Sequence, residues 1–392
     1  MLLSSAVAQL YRSKRQWRKF WLAWHLYVGL SLGLVFVLAG VTGSLLVFYV
    51  ELDEMLNPAL QISEAQSKQA PQSYEALLQA LKARHPERAG AWRIELPRHD
   101  KAMFMARYYT AVEKQGLSFA PLIVWLNPYT AEVISSRFWG EFIMTWIYDL
   151  HYALLLDSTG KTMMGIIGIV LLLPLLTGLY LWWPKASKLK SALSIKARAS
   201  RSRLLYDLHK INGVYGFLLL IILIISGVIL ELPAYFNPMI DRLSPLSKTP
   251  AYLSTPKPGL QRISLDLAAD IARLSYPNAS LRWIETPKDA TASYRIRLYQ
   301  SGEPSLRFPK TTVWLDQYSG SLIATYDPRM ESTGDAFLNL LHPLHNGEIA
   351  GMPGRLLVCI SGFIPAVLYI TGFMRWQEKR KAKAKQTGSM RL

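Results

Sequence analysis

The chain has 392 residues, 51% of them hydrophobic, and carries a formal charge of +17. Residues 1–24, 184–210 and 375–392 hold 20 Lys and Arg against two acids, while the rest nearly balances at 24 basic and 25 acidic. Base concentrated beside apolar segments follows the rule for cytoplasmic ends of membrane spans, so nucleic acid is excluded as the expected partner.

In chain order, residues 1–24 read as a basic cytoplasmic N-terminus. Four spans are expected at 25–50, 163–183, 209–231 and 356–374, with uncharged cores of 25, 21, 20 and 19 residues at 26–50, 163–183, 211–230 and 356–374. A hydrocarbon core of about 30 Å takes roughly 20 helical residues, so each core is long enough. The first is too long for the apolar part of a signal peptide. Trp21, Trp24, Trp182, Trp183 and Trp376 stand at segment ends, where an aromatic belt forms. Residues 184–208 form a basic cytoplasmic loop and 375–392 a basic tail, which places both termini in the cytoplasm. Cys359, alone of its kind, has no intrachain partner, and no motif for covalent haem attachment is present.

Two longer stretches, 51–140 and 232–340, are expected outside the membrane as helix-plus-sheet domains. Helical periodicity predicts a helix over 74–84 with Ser73 as N-cap, and a second from Ser264 through LDLAADIARL. Strands are predicted at 92–96, 101–109 and 122–126, then at 281–285, 293–299 and 312–315. Residues 141–162 read as an interfacial helix carrying His151, and 341–355 as the matching His345 segment.

The chain repeats itself. At an offset of 194, Leu150-His151, Gly160-Lys161, Gly168, Thr177-Gly178 and Trp182 fall on Leu344-His345, Gly354-Arg355, Gly362, Thr371-Gly372 and Trp376. At 184, His25, Gly29 and Gly43 fall on His209, Gly213 and Gly227; at 191, Ser73, Trp92 and Tyr108 fall on Ser264, Trp283 and Tyr299. The fold class expected is an α-helical membrane protein with α+β extracytoplasmic domains, four spans forming an internal duplication.

The repeat pairs His25 with His209 and His151 with His345. Two readings of these imidazoles stay open here: hydrogen-bonding anchors at helix ends, or ligands of haem or metal. Gly29, Gly213, Gly43 and Gly227 share a helical face with His25 or His209, which would leave room for a flat macrocycle or for close helix packing. His342 is a second-choice ligand, its equivalent in the repeat being Tyr148. Asp149 and Asp207, each two residues before a histidine, read as local caps or surface charges in preference to groups that polarise the imidazole or balance its proton, and Lys161 and Arg355 either as partners of haem propionates or as snorkelling cations. His85 and His99 read as surface residues. Trp92, Tyr108, Tyr109, Trp125, Trp139, Trp283, Tyr299 and Trp314 would line a cleft or, in the main, pack in domain cores.

Trp24-His25-Leu26 with Gly29 and Thr42-Gly43, Asp207-Leu208-His209 with Gly213, and Asp149-Leu150-His151 running to Thr177-Gly178 and Trp182-Trp183-Pro184 carry a family resemblance. Its most specific stretch is Leu344-His345-Asn346-Gly347 followed by Gly351-Met352-Pro353-Gly354-Arg355. From about residue 15 to 378 the chain resembles the PepSY-associated transmembrane proteins, most closely their siderophore-iron reductase branch in the bacterial inner membrane. The resemblance implies two b-type haems with His25, His209, His151 and His345 as axial ligands. It also implies PepSY-like periplasmic domains and reduction of a ferric siderophore in the periplasm. No Gly-x-Gly-x-x-Gly follows a strand, so electrons are expected from a separate reductase, reduced flavin or quinol. The competing expectations are a siderophore or metal permease of the inner membrane and a membrane-tethered PepSY regulator of a peptidase.

Overall fold

The computed structural model describes residues 2–248, 250–257 and 259–389, so the last three residues of the expected tail lie outside it. The chain divides into two compact units, one made of residues 1–47, 150–233 and 344–392, the other of Phe48–Asp149 and Ala234–Pro343.

In the first unit, among the described residues, three helical stretches are long and apolar enough to cross a membrane: Asp157–Trp182, Arg201–Glu231 and Glu348–Ala384. Arg15–Ser31 and Gly33–Val47 make a fourth crossing if taken together, bent by 55°. The bend has a local cause. Ser31 Oγ donates to the Tyr27 carbonyl at 2.8 Å, and Gly33 follows it, a Ser/Gly combination that weakens the helical ladder. The third helix starts eight residues before the span expected at 209–231, because Ser200 caps it by accepting from Arg203 N at 3.4 Å. The last stretch is broken between Gly351–Ser361 and Ile364–Ser389, where a single span was expected at 356–374.

Small residues let these helices approach. A Cβ on Gly40 would stand 2.3 Å from Gly362 O, and one on Gly362 would stand 2.4 Å from Gly40 O. The two backbones therefore touch, and Ser44 Oγ adds a bond to Cys359 O at 2.7 Å.

The second unit is built on one antiparallel sheet of eight strands. In chain order these are β1 Trp92–Glu95, β2 Phe104–Tyr108, β3 Leu122–Leu126, β4 Val133–Phe138, β5 Ser280–Glu285, β6 Tyr294–Tyr299, β7 Thr312–Leu315 and β8 Leu322–Tyr326. Their spatial order, β4-β3-β2-β1-β5-β6-β7-β8, mirrors itself about the β1–β5 junction. There Arg93, Ile94 and Glu95 face Glu285, Ile284 and Trp283. The two stretches expected as separate domains thus share one sheet. Joined, β1 and β5 shield backbone groups that two separate sheets would leave open at an edge.

Alternation puts Trp92, Ile94, Phe104, Ala106, Val124, Ile284, Ile296, Leu298 and Val313 on one face, packed with Leu77, Leu81, Leu265 and Ala269 from helices Tyr74–Arg84 and Leu265–Ser275. Both helices begin as expected, with Ser73 accepting from Ala76 N and Ser264 from Leu267 N. They also cap each other. Asp266 accepts from Tyr74 N and Glu75 N at 2.8 and 3.0 Å, and Glu75 accepts from Leu265 N at 2.9 Å. Each carboxylate sits at the positive end of the other helix. Asp266→Ala strands two donors and should destabilise this unit by about 1–2 kcal/mol, read as a lower midpoint in thermal or denaturant unfolding. An unchanged midpoint would mean that water replaces the carboxylate without cost.

Candidate functional site

The four expected histidines form two pairs within the membrane unit. The His25 and His209 rings lie 6.0 Å apart, centroid to centroid, at an interplanar angle of 80°. His151 and His345 lie 6.2 Å apart at 57°.

Each ring is held by a helix of its own half of the sequence. His25 Nδ1 is 3.0 Å from Pro174 O and 3.4 Å from Thr177 Oγ1; His209 Nδ1 is 3.0 Å from both Leu368 O and Thr371 Oγ1. His151 Nδ1 is 3.0 Å from Thr42 Oγ1, and His345 Nδ1 is 3.0 Å from Ser226 Oγ. A carbonyl can only accept, so Nδ1 of His25 and of His209 carries the proton. The hydroxyls lead to the same tautomer at the other two rings. Thr42 Oγ1 already donates to Leu38 O and Ser226 Oγ to Ile222 O, both at 2.7 Å, so each must accept from the imidazole. All four rings therefore hold N–H at Nδ1 and leave the Nε2 lone pair as the group able to ligate.

The residue after each hydroxyl is glycine, and it is the glycine that the ring packs on. A Cβ would fall 3.0 Å from the His151 ring at Gly43, 3.0 Å from His345 at Gly227, 3.1 Å from His25 at Gly178 and 3.3 Å from His209 at Gly372. The glycines that share a helical face with His25 and His209 do not all adjoin that pair. Gly43 and Gly227 meet the other pair, Gly29 has open space around it, and Gly213 lies against Leu368. The sequence signal was present as the dipeptides Thr42-Gly43, Thr177-Gly178, Ser226-Gly227 and Thr371-Gly372, but it reads as helix packing until the rings are placed.

The turns beyond His151 and His345 are also alike. Asp157 and Gly351, equivalent at the 194 offset, both have positive φ, 50° and 60°. A Cβ at Gly160 would clash with Ala153 O at 1.6 Å, and one at Gly354 with Gly347 O at 2.2 Å. Only glycine at these two positions lets the following span fold back against the end of the histidine helix.

The remaining candidates sort plainly. Arg355 donates to Val47 O at 2.8 Å, and Lys161 Nζ lies 5.3 Å from the Tyr152 ring. The His342 ring packs edge-on against Phe308 at 4.5 Å, in the sheet unit, and the described pairs form without it. Asp207 is fully buried inside the Arg201–Glu231 helix and takes Lys210 Nζ at 2.9 Å and Arg203 Nε at 3.0 Å, so it is a buried ion-pair centre where a cap or a surface charge was expected. Asp149 accepts from Trp139 Nε1 at 2.7 Å. His85 bonds Ser136 Oγ, and His99 faces Glu54 at 3.5 Å. Trp92 and Tyr108 belong to the sheet core, and Trp125 and Trp139 to a smaller cluster on the opposite face, so they line no cleft.

The pairs fit haem iron better than a bare ion. Two metal–imidazole bonds of about 2 Å, with about 1 Å from each nitrogen to its ring centre, sum to roughly the separation observed. Among the described residues no group of three or more His, Cys, Asp or Glu could hold a metal. Two imidazoles alone leave a free ion under-coordinated, whereas a macrocycle brings four nitrogens of its own.

Apolar spans of this length, small-residue packing and paired histidines define a multi-pass membrane protein. Its sequence matches the PepSY-associated TM region over residues 22–379, nearly the whole chain, and the protein belongs to that family. No curated protein matches it.

Proposed function

We propose that the protein is a di-haem b-type oxidoreductase of the bacterial inner membrane, which passes electrons to a ferric siderophore in the periplasm and thereby releases Fe(II). The carrying observation is the twofold pairing of histidines whose Nδ1 protons are all committed, so that two Nε2 lone pairs are available at each site. In this reading the four crossings are an internal duplication, and each half clamps its own two histidines while the two halves meet ring to ring. Basic residues in 1–24, 184–210 and 375–392 orient the chain with both termini in the cytoplasm, which puts His25 and His209 at the inner face and His151 and His345 at the outer. The sheet unit, two PepSY-like halves sharing one sheet, then lies in the periplasm.

Held through Nε2 of His25 and His209 and of His151 and His345, haem would supply one-electron transfer at each site. The chain's own part is to fix the ring planes through Thr42, Thr177, Ser226, Thr371 and two backbone carbonyls. Lys161 and Arg355 would supply cations for its propionates. Hard oxygen donors hold Fe(III) far more tightly than Fe(II), so one electron per iron suffices to loosen the complex. Electrons enter from a quinol, a reduced flavin or a separate reductase.

The test is anaerobic. Dithionite-reduced, detergent-purified protein should lose its reduced absorption bands on addition of a ferric siderophore, with one Fe(II) trapped by a ferrous chelator per electron lost. Reduced bands that persist in excess ferric siderophore would contradict the reductase reading.

A further inference from the structure

The sheet face opposite the two capping helices carries more charge than a packed surface needs. Alternation places Arg93 and Glu95 of β1, Arg107 of β2, Trp283 and Glu285 of β5, and Arg295 and Arg297 of β6 on that face. On these four strands four arginines meet two glutamates, and Arg137 of β4 lies farther along the same face. Glu95 is taken by Arg107 at 2.8 Å. Glu285 is shared, accepting from Arg93 Nε at 2.8 Å and from Arg295 at 2.5–2.6 Å. That leaves Arg297 without a carboxylate. Its guanidinium lies 5.1 Å from the Trp283 ring, and Arg93 stands 4.5 Å from the same ring. Among the described residues Arg297 donates to Pro309 O, at a long 3.3 Å. Nε of Arg295 and Nε of Arg297 are buried and find no hydrogen-bond partner among the described residues. Burial, with Arg295 and Arg93 close by, pulls the Arg297 guanidinium down to about 10, against the opposing pull of Glu285 and Glu303. The side chains of Arg93, Glu285 and Arg295 keep 20, 22 and 36% of their surface exposed, so a ligand can reach these three, while Trp283, 8% exposed, lies beneath them.

We propose that this face, centred on Arg93, Arg295 and Arg297 around Trp283, binds a ferric chelate of net negative charge, of the catecholate class, in preference to a neutral one. The proposal rests on the reductase reading for the identity of the ligand. Guanidinium groups pair with anionic oxygens by paired N–H donors and stack on flat aryl rings, and both features occur together in a tris-catecholate. Glu285 holds Arg93 and Arg295 in place, and Arg93 Nη1 also donates to Tyr109 Oη at 2.8 Å, which leaves Arg295 as the more open guanidinium.

Gallium(III) chelates test binding without electron transfer. Purified full-length protein should bind a gallium tris-catecholate, charge −3, at least tenfold more tightly than a neutral gallium trihydroxamate, with affinity falling as salt rises. Arg295→Gln/Arg297→Gln should weaken the anionic complex tenfold or more and leave the neutral one unchanged. Glu285→Gln, which removes the competing carboxylate, should tighten the anionic complex, and this gain guards against loss through misfolding. Equal affinity for the two chelates, or no response to either variant, would overturn the proposal. The two readings fail separately. Protein without haem that still binds the tris-catecholate at these arginines would remove the reductase and keep the site. Haem-loaded protein reoxidised equally well in wild type and double variant would remove the site and keep the reductase.

Discussion

His151→Ala and His345→Ala should each lower haem content from two per chain to one, and each should abolish reduction of ferric siderophore. The haem that remains should keep its own bands, because His25 and His209 are held by Pro174, Thr177, Leu368 and Thr371 and by nothing on the other pair. His25→Ala and His209→Ala should act together in the same way on the other haem. Pyridine haemochrome and reduced-minus-oxidised spectra of the four variants check this. Two haems retained in any of them would break the pairing, and loss caused by His342→Ala would show that a different ring is the ligand.

Removing the clamp should cost nearly as much as weakening a ligand. Thr42→Val keeps side-chain shape but takes away the acceptor 3.0 Å from His151 Nδ1, in a site where Thr42 is only 5% exposed. The ring then loses both its tautomer preference and its orientation. Loss of such a supporting bond typically lowers metal affinity about 10–100-fold. Haem titration of the apoprotein should show that decrease at one site only, and Thr42→Ser should restore it, since serine already plays this part at Ser226. Equal haem affinity in Thr42→Val and wild type would reduce the hydroxyl to a packing feature.

Local pattern carried much of the fold. Ser73 and Ser264 marked two helix starts to the residue, alternation was clearest in β2 and β6, and β3 and β7 stood out as short apolar runs buried at every position. The edge strands β4 and β8 went unread because they are half buried along their length and show no clean alternation. The β1–β5 junction was also invisible, since nothing local to residues 92–95 names residues 283–285 as partners. Hydropathy located the apolar cores but not the helix ends. Arg201–Glu231 extends into a charged segment that a window average treats as loop, and the bend before Gly33 lies inside an unbroken apolar run. Within the site, duplication fixed which histidines pair, and the rings do face one another. It did not show what orients them. Thr42, Thr177, Ser226 and Thr371 are common residues in membrane helices, and each also bonds back to its own helix, which hides the second role.

The absorption spectrum of the detergent-purified protein, taken before and after dithionite from cells with ample haem, bears on the proposed electron path before any variant is made. A sharp Soret band, a resolved α-band on reduction and two haems per chain by pyridine haemochrome are the predicted result. A colourless protein would contradict it, and would return the four histidines to the part of hydrogen-bonded helix anchors.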